Sequence, residues 1–306
     1  MSYPPISETA LNTTIRANAY EPYYSYKSSL DLYDIHQFTN GHPFSTYDEL
    51  RENSPIYFQN PPEWDVEPGA WMLTSYADIM EVSSNPSIFS SQAATGNLIT
   101  LGDPETRHPK LWQTSIDHML NLDGSFHLDL RREHMPFFKP GYVDDLHKKV
   151  EIKVETLLDA IAKVGKSNLV KDISQQIPIF TLSEVLGIPE EDRHKLATWM
   201  EFLELAQYFA AENMKQTQGK AEEMEVDTSM IELFENMIGE MFEYGKHILQ
   251  EKRLNPKNDL LSAIANAELD GAKLSQEYLD GSWLLIIFAG NDTTRNSISG
   301  AIKLLT

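Results

Sequence analysis

Two short runs carry residue types that can do chemistry. In Trp283-Leu-Leu-Ile-Ile-Phe-Ala-Gly-Asn-Asp-Thr-Thr-Arg295 an apolar stretch runs straight into an acid and an alcohol, Asp292 and Thr293. Side by side in a dry pocket, such a pair can pass protons from solvent to a bound group. Ala289 and Gly290, just upstream, remove side-chain bulk and let a flat or diatomic ligand approach the backbone. On a helix, Thr293 lies four residues beyond Ala289 and can bond back to its carbonyl, which bends the helix. The same letters also suit a strand, a loop at Gly290-Asn291, and a new helix capped by Asp292 or Thr293.

The second run is His127-Leu-Asp-Leu-Arg131-Arg132. Four residues apart, His127 and Arg131 share one helix face and suit a ligand carboxylate, for which Arg offers a bidentate fork. A solvated face with Asp129 and Glu133 as local partners is the plainer alternative. Around it charge reverses locally: Arg131, Arg132, Lys139, Lys148, Lys149 and Lys153 face Glu133, Asp144, Asp145 and Glu151. That span is either a docking patch for an acidic partner or ordinary helix surface. His118, His127 and His134 are too scattered for a metal site, so no metal-ligating residue is assigned.

These runs need a scaffold, and the scaffold reads as mainly α with a small β element near the N-terminus. Residues 1–41, rich in Tyr, Ser, Asn and Pro, read as an arm. Ser45 can cap a helix ended by Asn53-Ser54-Pro55. Pro55–Gln59 and Ala70–Thr74 look like two strands around a loop, and Ser75 caps a short helix closed by Asn85-Pro86. From Phe89 to about Trp112 the chain reads as loop. Amphipathic spacing then predicts helices over Val143–Val164, Ile173–Leu186 (interrupted by Pro178), Glu190–Asn213, Met230–Leu254 and Asp259–Leu269. A last helix starts near Ser275 and runs to Thr306 without a stop signal.

Composition sets the outer bounds. Of 306 residues, 41% are hydrophobic and 23% charged, enough apolar material for a sizeable core. The 46 acidic against 25 basic residues leave a net charge of −21, which argues against nucleic acid and anionic membranes. With no cysteine, disulfides, zinc–thiolate sites, cysteine nucleophiles and thiolate haem ligands are all excluded within these residues. Trp283–Ala289, the longest strongly apolar stretch, is too short to span a bilayer. Met1–Tyr20 lacks the basic start and apolar run of a secretory signal. The expectation is a soluble, cytoplasmic protein.

Taken in order, these pieces resemble the bacterial soluble branch of the cytochrome P-450 family of haem-thiolate monooxygenases. The resemblance runs through Pro43–Arg51, Trp71–Thr74, Tyr76–Ile79, Asn121–Arg131, Phe138-Lys-Pro140, Glu184–Pro189 and Ala289–Thr294. It implies haem as cofactor, with His127 and Arg131 on its propionates and Ala289 and Gly290 facing the oxygen side of the iron. Asp292 and Thr293 would be the acid–alcohol pair of oxygen activation. It further implies O2, an apolar substrate (alkane, fatty acid or terpene) and electrons from an acidic ferredoxin-type partner. The family's axial cysteine and its glutamate–arginine pair have no counterpart here; Glu190-x-x-Arg193 has the spacing in the wrong place. The resemblance therefore implies an incomplete domain over 42–306, a truncated cytochrome P-450-like fold ending within the long central helix. The rival reading is a non-catalytic helical fragment or apolar-ligand-binding module.

Overall fold

The computed structural model of the protein describes residues 35–59, 70–92, 109–114, 116–203, 205, 228–269 and 271–306. Of the expected arm, residues 1–34 lie outside these; Ile35–Phe38 is a short 3-10 turn. Helix α1 (Phe44–Asn53) follows, then strands β1 (Ile56–Gln59) and β2 (Ala70–Leu73) and helix α2 (Tyr76–Ser84). The strands pair antiparallel from Ile56↔Leu73 to Gln59↔Ala70, and the loop expected between them lies outside the described residues. Beneath this hairpin Leu50 and Tyr57 are buried with Phe38, Tyr47 and Met72 packed on them.

The rest is helical: α3 (Pro109–Thr114), α4 (Gly124–His134), α5 (Pro140–Val164), α6 (Gln176–Leu186), α7 (residues 193–203), α8 (Thr228–Leu254), α9 (Leu260–Asn266), α10 (Gln276–Ala289) and α11 (Asp292–Leu305). Strands β3 (Glu268–Leu269) and β4 (Ala272–Lys273) form a second antiparallel hairpin.

Several boundaries differ from the sequence expectation, each for a local reason. Helix α1 starts two residues early because the carbonyl of Pro43, not the side chain of Ser45, takes the first free amides, from Thr46 and Tyr47 at 3.0 and 3.1 Å. Ser75 does cap α2, accepting from the Asp78 amide. Pro109 opens a helix where loop was expected; at a first helical position its missing N–H costs nothing. Pro178 does not interrupt α6, since it sits in the first turn, where amides have no intrahelical partner anyway. The break comes earlier, in a π turn at Val170–Ser174, closed by the Gln175 amide reaching back to Val170 at 2.9 Å. The helix expected over Asp259–Leu269 is shorter: Asp259 caps it, and a hairpin turning at Gly271 (φ +75°) takes its end.

Helices α8, α9 and α10 build the core with α7 and the end of α6. Met241, Leu249, Leu261, Ile264, Trp199, Tyr278, Trp283 and Ile287 are all essentially inaccessible there. Two glycines let elements touch. A Cβ on Gly245 of α8 would lie 2.5 Å from the Trp283 indole, and one on Gly281 of α10 would overlap the Asp117 carbonyl. Thus α10 is laid flat against the backbone of 114–117 at one end and against α8 along its middle.

Candidate functional site

Helix α10 is buried from Tyr278 to Leu284 and again at Ile287, then surfaces at Phe288 and Ala289. Contrary to the expectation of one helix, it stops there. Gly290 keeps near-helical angles (φ −79°, ψ −14°), Asn291 departs (φ −107°, ψ −58°), and α11 begins at Asp292. The Thr293 hydroxyl donates to the Ala289 carbonyl at 3.3 Å, the back-bond its spacing foretold, and this competes with the backbone ladder at the break. The alternative reading fares partly: a break at Gly290-Asn291 is present, but a helix, not a strand, precedes it. No side chain caps α11 either.

The bulk missing at Gly290 has a packing use. A Cβ there would lie 2.9 Å from the Ile286 carbonyl and 3.0 Å from Leu182 of α6. Ala289, by contrast, is exposed, as are Thr293 and Thr294. Asp292 is half-exposed, and its Oδ1 accepts from Arg295 at 2.5 Å and from Asn296 at 2.9 Å. Its other oxygen has no partner among the described residues.

His127 and Arg131 do share a face of α4. The half-buried His127 places Nδ1 3.0 Å from the Met119 carbonyl, which fixes Nδ1–H as the donor and leaves Nε2 open. Arg131 is exposed and its guanidinium has no partner among the described residues, whereas neighbouring Arg132 pairs with Asp129. Helix α4 meets α10 through Phe126 and Tyr278, ring centroids 5.2 Å apart. Tyr278 lies eleven residues before Ala289, about 16 Å along the helix. Phe126, one residue before His127, therefore packs near the start of α10, whereas Ala289 closes its other end.

Most of the basic span is internally neutralised. Lys148 pairs with Asp145, Lys149 and Arg193 both with Glu184, and Lys153 lies over the Phe180 ring. Burial pushes the Glu184 carboxyl up, but hydrogen bonds from Lys149 and Arg193 outweigh it and hold the group below its usual range. Arg193 thus answers Glu184, not Glu190. The apolar side chains of Trp199, Met200, Phe202, Leu203, Leu205, Tyr208 and Phe209, with Leu98 and Ile99, suit by the resemblance the roof of a substrate site or, equally, simple core packing; Trp199, Met200 and Leu203 are core. Phe202 stacks on Phe234 at 5.5 Å and Leu205 is exposed, while Leu98, Ile99, Tyr208 and Phe209 lie outside the described residues.

Sequence reasoning missed the buried polar groups. His118 and His134 are 2% and 8% exposed, and desolvation lowers both from 6.5 to about 4. Lys110 reaches the buried Asp280, and Lys252 pairs with Asp259 out of solvent. Only the oddity of charges inside apolar periods could have flagged these positions. No cluster able to hold a metal ion occurs among the described residues, and no described helix is long and apolar enough to cross a membrane.

No family model matches the chain. Individual proteins do. Linalool 8-monooxygenase of Pseudomonas putida is 27% identical over 277 residues, covering 90% of this chain and 64% of that protein. Steroid C26-monooxygenase of Mycolicibacterium smegmatis is 27% identical over 261 residues, covering 84% and 56%. The chain therefore spans 56% to 64% of the length of these curated relatives. Among solved structures, a Mycobacterium marinum cytochrome P-450 in complex with pseudoionone superposes with a TM-score of 0.69 at 27% identity, over 92% of this chain and 66% of that one. The mostly helical architecture with two small hairpins, and the sequence that builds it, thus have bacterial cytochromes P-450 as their neighbours over most of the chain.

Proposed function

We propose that this chain forms the part of a haem-dependent monooxygenase that bears the oxygen-side helix and a propionate clamp. The observation that carries the reading is the break between α10 and α11. It presents an exposed Ala289, the Thr293 hydroxyl tied to the Ala289 carbonyl, and beside it a carboxylate with one oxygen unpartnered among the described residues. The residues fit the rim of a haem: Arg131 is a fork without a partner among the described residues, and His127 is oriented by Met119. They do not supply the axial sulfur, because the sequence has no cysteine, so that ligand must come from outside these 306 residues. When bound, haem would supply reductive activation of O2.

The chain's own residues have narrower tasks. Ala289 leaves room at the helix surface, and Thr293 can turn its hydroxyl from the Ala289 carbonyl toward a ligand. Asp292 can exchange protons with solvent through its free oxygen and hand them to Thr293. The relatives named for linalool and steroid oxidation support an apolar substrate, of alkane, fatty acid or terpene type. Electrons would come from an acidic ferredoxin-type partner.

In the haem-loaded protein, Thr293→Ala is expected to leave substrate affinity nearly unchanged and to raise hydrogen peroxide released per reductant consumed. Asp292→Asn is expected to slow turnover. Peroxide yield measured on both variants tests the reading, which fails if Thr293→Ala stays fully coupled. Arg131→Ala should lower haem occupancy, a loss on the order of 1.5–3 kcal/mol for a charge-assisted contact. Haem titration of the variant checks this, and unchanged occupancy would return Arg131 to the solvated face.

A further inference from the structure

Three aromatic rings meet between α7, α8 and α10. Trp199 and Trp283 are each 1% exposed, and Tyr244 touches both. Ring centroids are 6.2 Å apart for Trp199 and Trp283, 5.2 Å for Trp199 and Tyr244, and 5.9 Å for Tyr244 and Trp283. Trp283 lies six residues before Ala289, about 9 Å along α10. Its indole Nε1 donates to the Met241 carbonyl at 3.0 Å, and its ring lies flat against Gly245.

The outer end differs chemically. The Tyr244 hydroxyl donates to Asp192 Oδ2 at 2.9 Å, and Asp192, with 23% of its side chain exposed, also pairs with Lys195 at 2.8 Å. The Lys195 ammonium stands 5.0 Å from the Tyr244 ring centroid. A cation there disfavours a cationic ring radical, so Tyr244 can lose an electron only together with its phenolic proton. Asp192 is the base placed to take that proton. Among the described residues Trp283 has only a neutral carbonyl as its hydrogen-bond partner, which is too weak a base, so an oxidised indole keeps its proton and is readily refilled.

We propose that Trp283, Trp199 and Tyr244 form a one-electron relay that carries oxidising equivalents from α10 to the surface at Asp192. An oxidant of the one-electron class beside α10 removes an electron from Trp283. Tyr244 refills the tryptophans directly or through Trp199. Its O–H bond breaks, the proton passes to Asp192 Oδ2, and a neutral phenoxyl radical remains. A soluble thiol or ascorbate then returns one electron, and Asp192 returns the proton. The natural oxidant rests on the monooxygenase reading, whereas the wiring does not.

The absence of cysteine makes the test clean. Phe288→Cys, at a partly exposed position on the last turn of α10, supplies the sole thiol for a ruthenium polypyridyl photo-oxidant. After flash–quench, electron paramagnetic resonance and transient absorption are expected to show a neutral tyrosyl radical. The signal should vanish with Tyr244→Phe and persist with Tyr278→Phe. Asp192→Asn should cut its yield at least tenfold while a tryptophan radical accumulates, and Trp283→Phe should slow its appearance at least tenfold. A radical that survives Tyr244→Phe, or kinetics indifferent to Asp192→Asn, overturns the relay. If Trp283→Phe fails to fold by circular dichroism, the two variants at half-buried positions decide alone. No haem takes part, so failed substrate oxidation and a failed relay remain separate results.

Discussion

Lys252→Met is expected to cost about 3–5 kcal/mol of folding stability, the usual penalty for stranding one charge of a buried pair. The ammonium of Lys252 bonds to Asp259 and also donates to the Gly187 carbonyl at 2.9 Å, with both side chains almost wholly out of water. Asp259 in turn accepts from the Ser262 amide at 2.8 Å and so starts α9. One contact therefore ties together the end of α6, the last turn of α8 and the first turn of α9. Gly187 is part of it: at φ +68° it closes α6, and a Cβ there would overlap the Asp259 carboxylate. Urea unfolding of Lys252→Met, of Asp259→Leu and of the double variant measures the effect. The double variant should recover much of the single loss, because no lone charge remains buried. The exposed Lys148–Asp145 pair is the control, and breaking it should leave stability unchanged, because solvent screens both charges.

The second large effect is an acid loss of stability well above the carboxylate range. Desolvation lowers His118 and His134 to about 4 in the folded chain, against 6.5 in the unfolded one. Between these values the unfolded state binds protons that the folded state refuses. The contribution is fully present above pH 6.5 and drains away as pH falls toward 4. Each histidine accounts for about 3 kcal/mol over that window. Unfolding free energies at pH 7, 5.5 and 4.5 should fall in that order, and His134→Gln should flatten the fall. The carboxylates of Glu184 and Asp192 are held below their usual values and lose their contribution only at still lower pH, so the two effects separate. A flat profile from pH 7 to 4.5 would mean the two imidazoles are hydrated.

Much of the frame was legible because it is written locally. Pro and Gly punctuate the first hairpin, Ser75 caps its helix, and the apolar period of Val143–Val164 gives α5 almost to the residue. The shared face of His127 and Arg131 was legible for the same reason, since it follows from spacing along one helix, α4. What stayed hidden depends on partners far apart in the chain. The pairing of Lys252 with Asp259 has no local signature, because the Gly187 carbonyl that completes it comes from the end of α6. Trp199 suited a pocket roof and core packing equally, because nothing local shows that Tyr244 and Trp283 will close around it. The break at Gly290-Asn291 was one of two local readings, and the sequence could not choose between them because the Leu182 side chain packed against Gly290 comes from α6.

That break has a further consequence. Upstream of it, α10 keeps most of its side chains in the core; downstream, α11 has no buried residue at all. A segment anchored by so little opens at small free-energy cost, while its neighbour opens only with the whole molecule. The seam between these two regimes falls at Gly290 and Asn291, directly ahead of Asp292 and Thr293. The acid and the alcohol therefore stand just past a rigid edge, in the first turn of the segment that opens more cheaply.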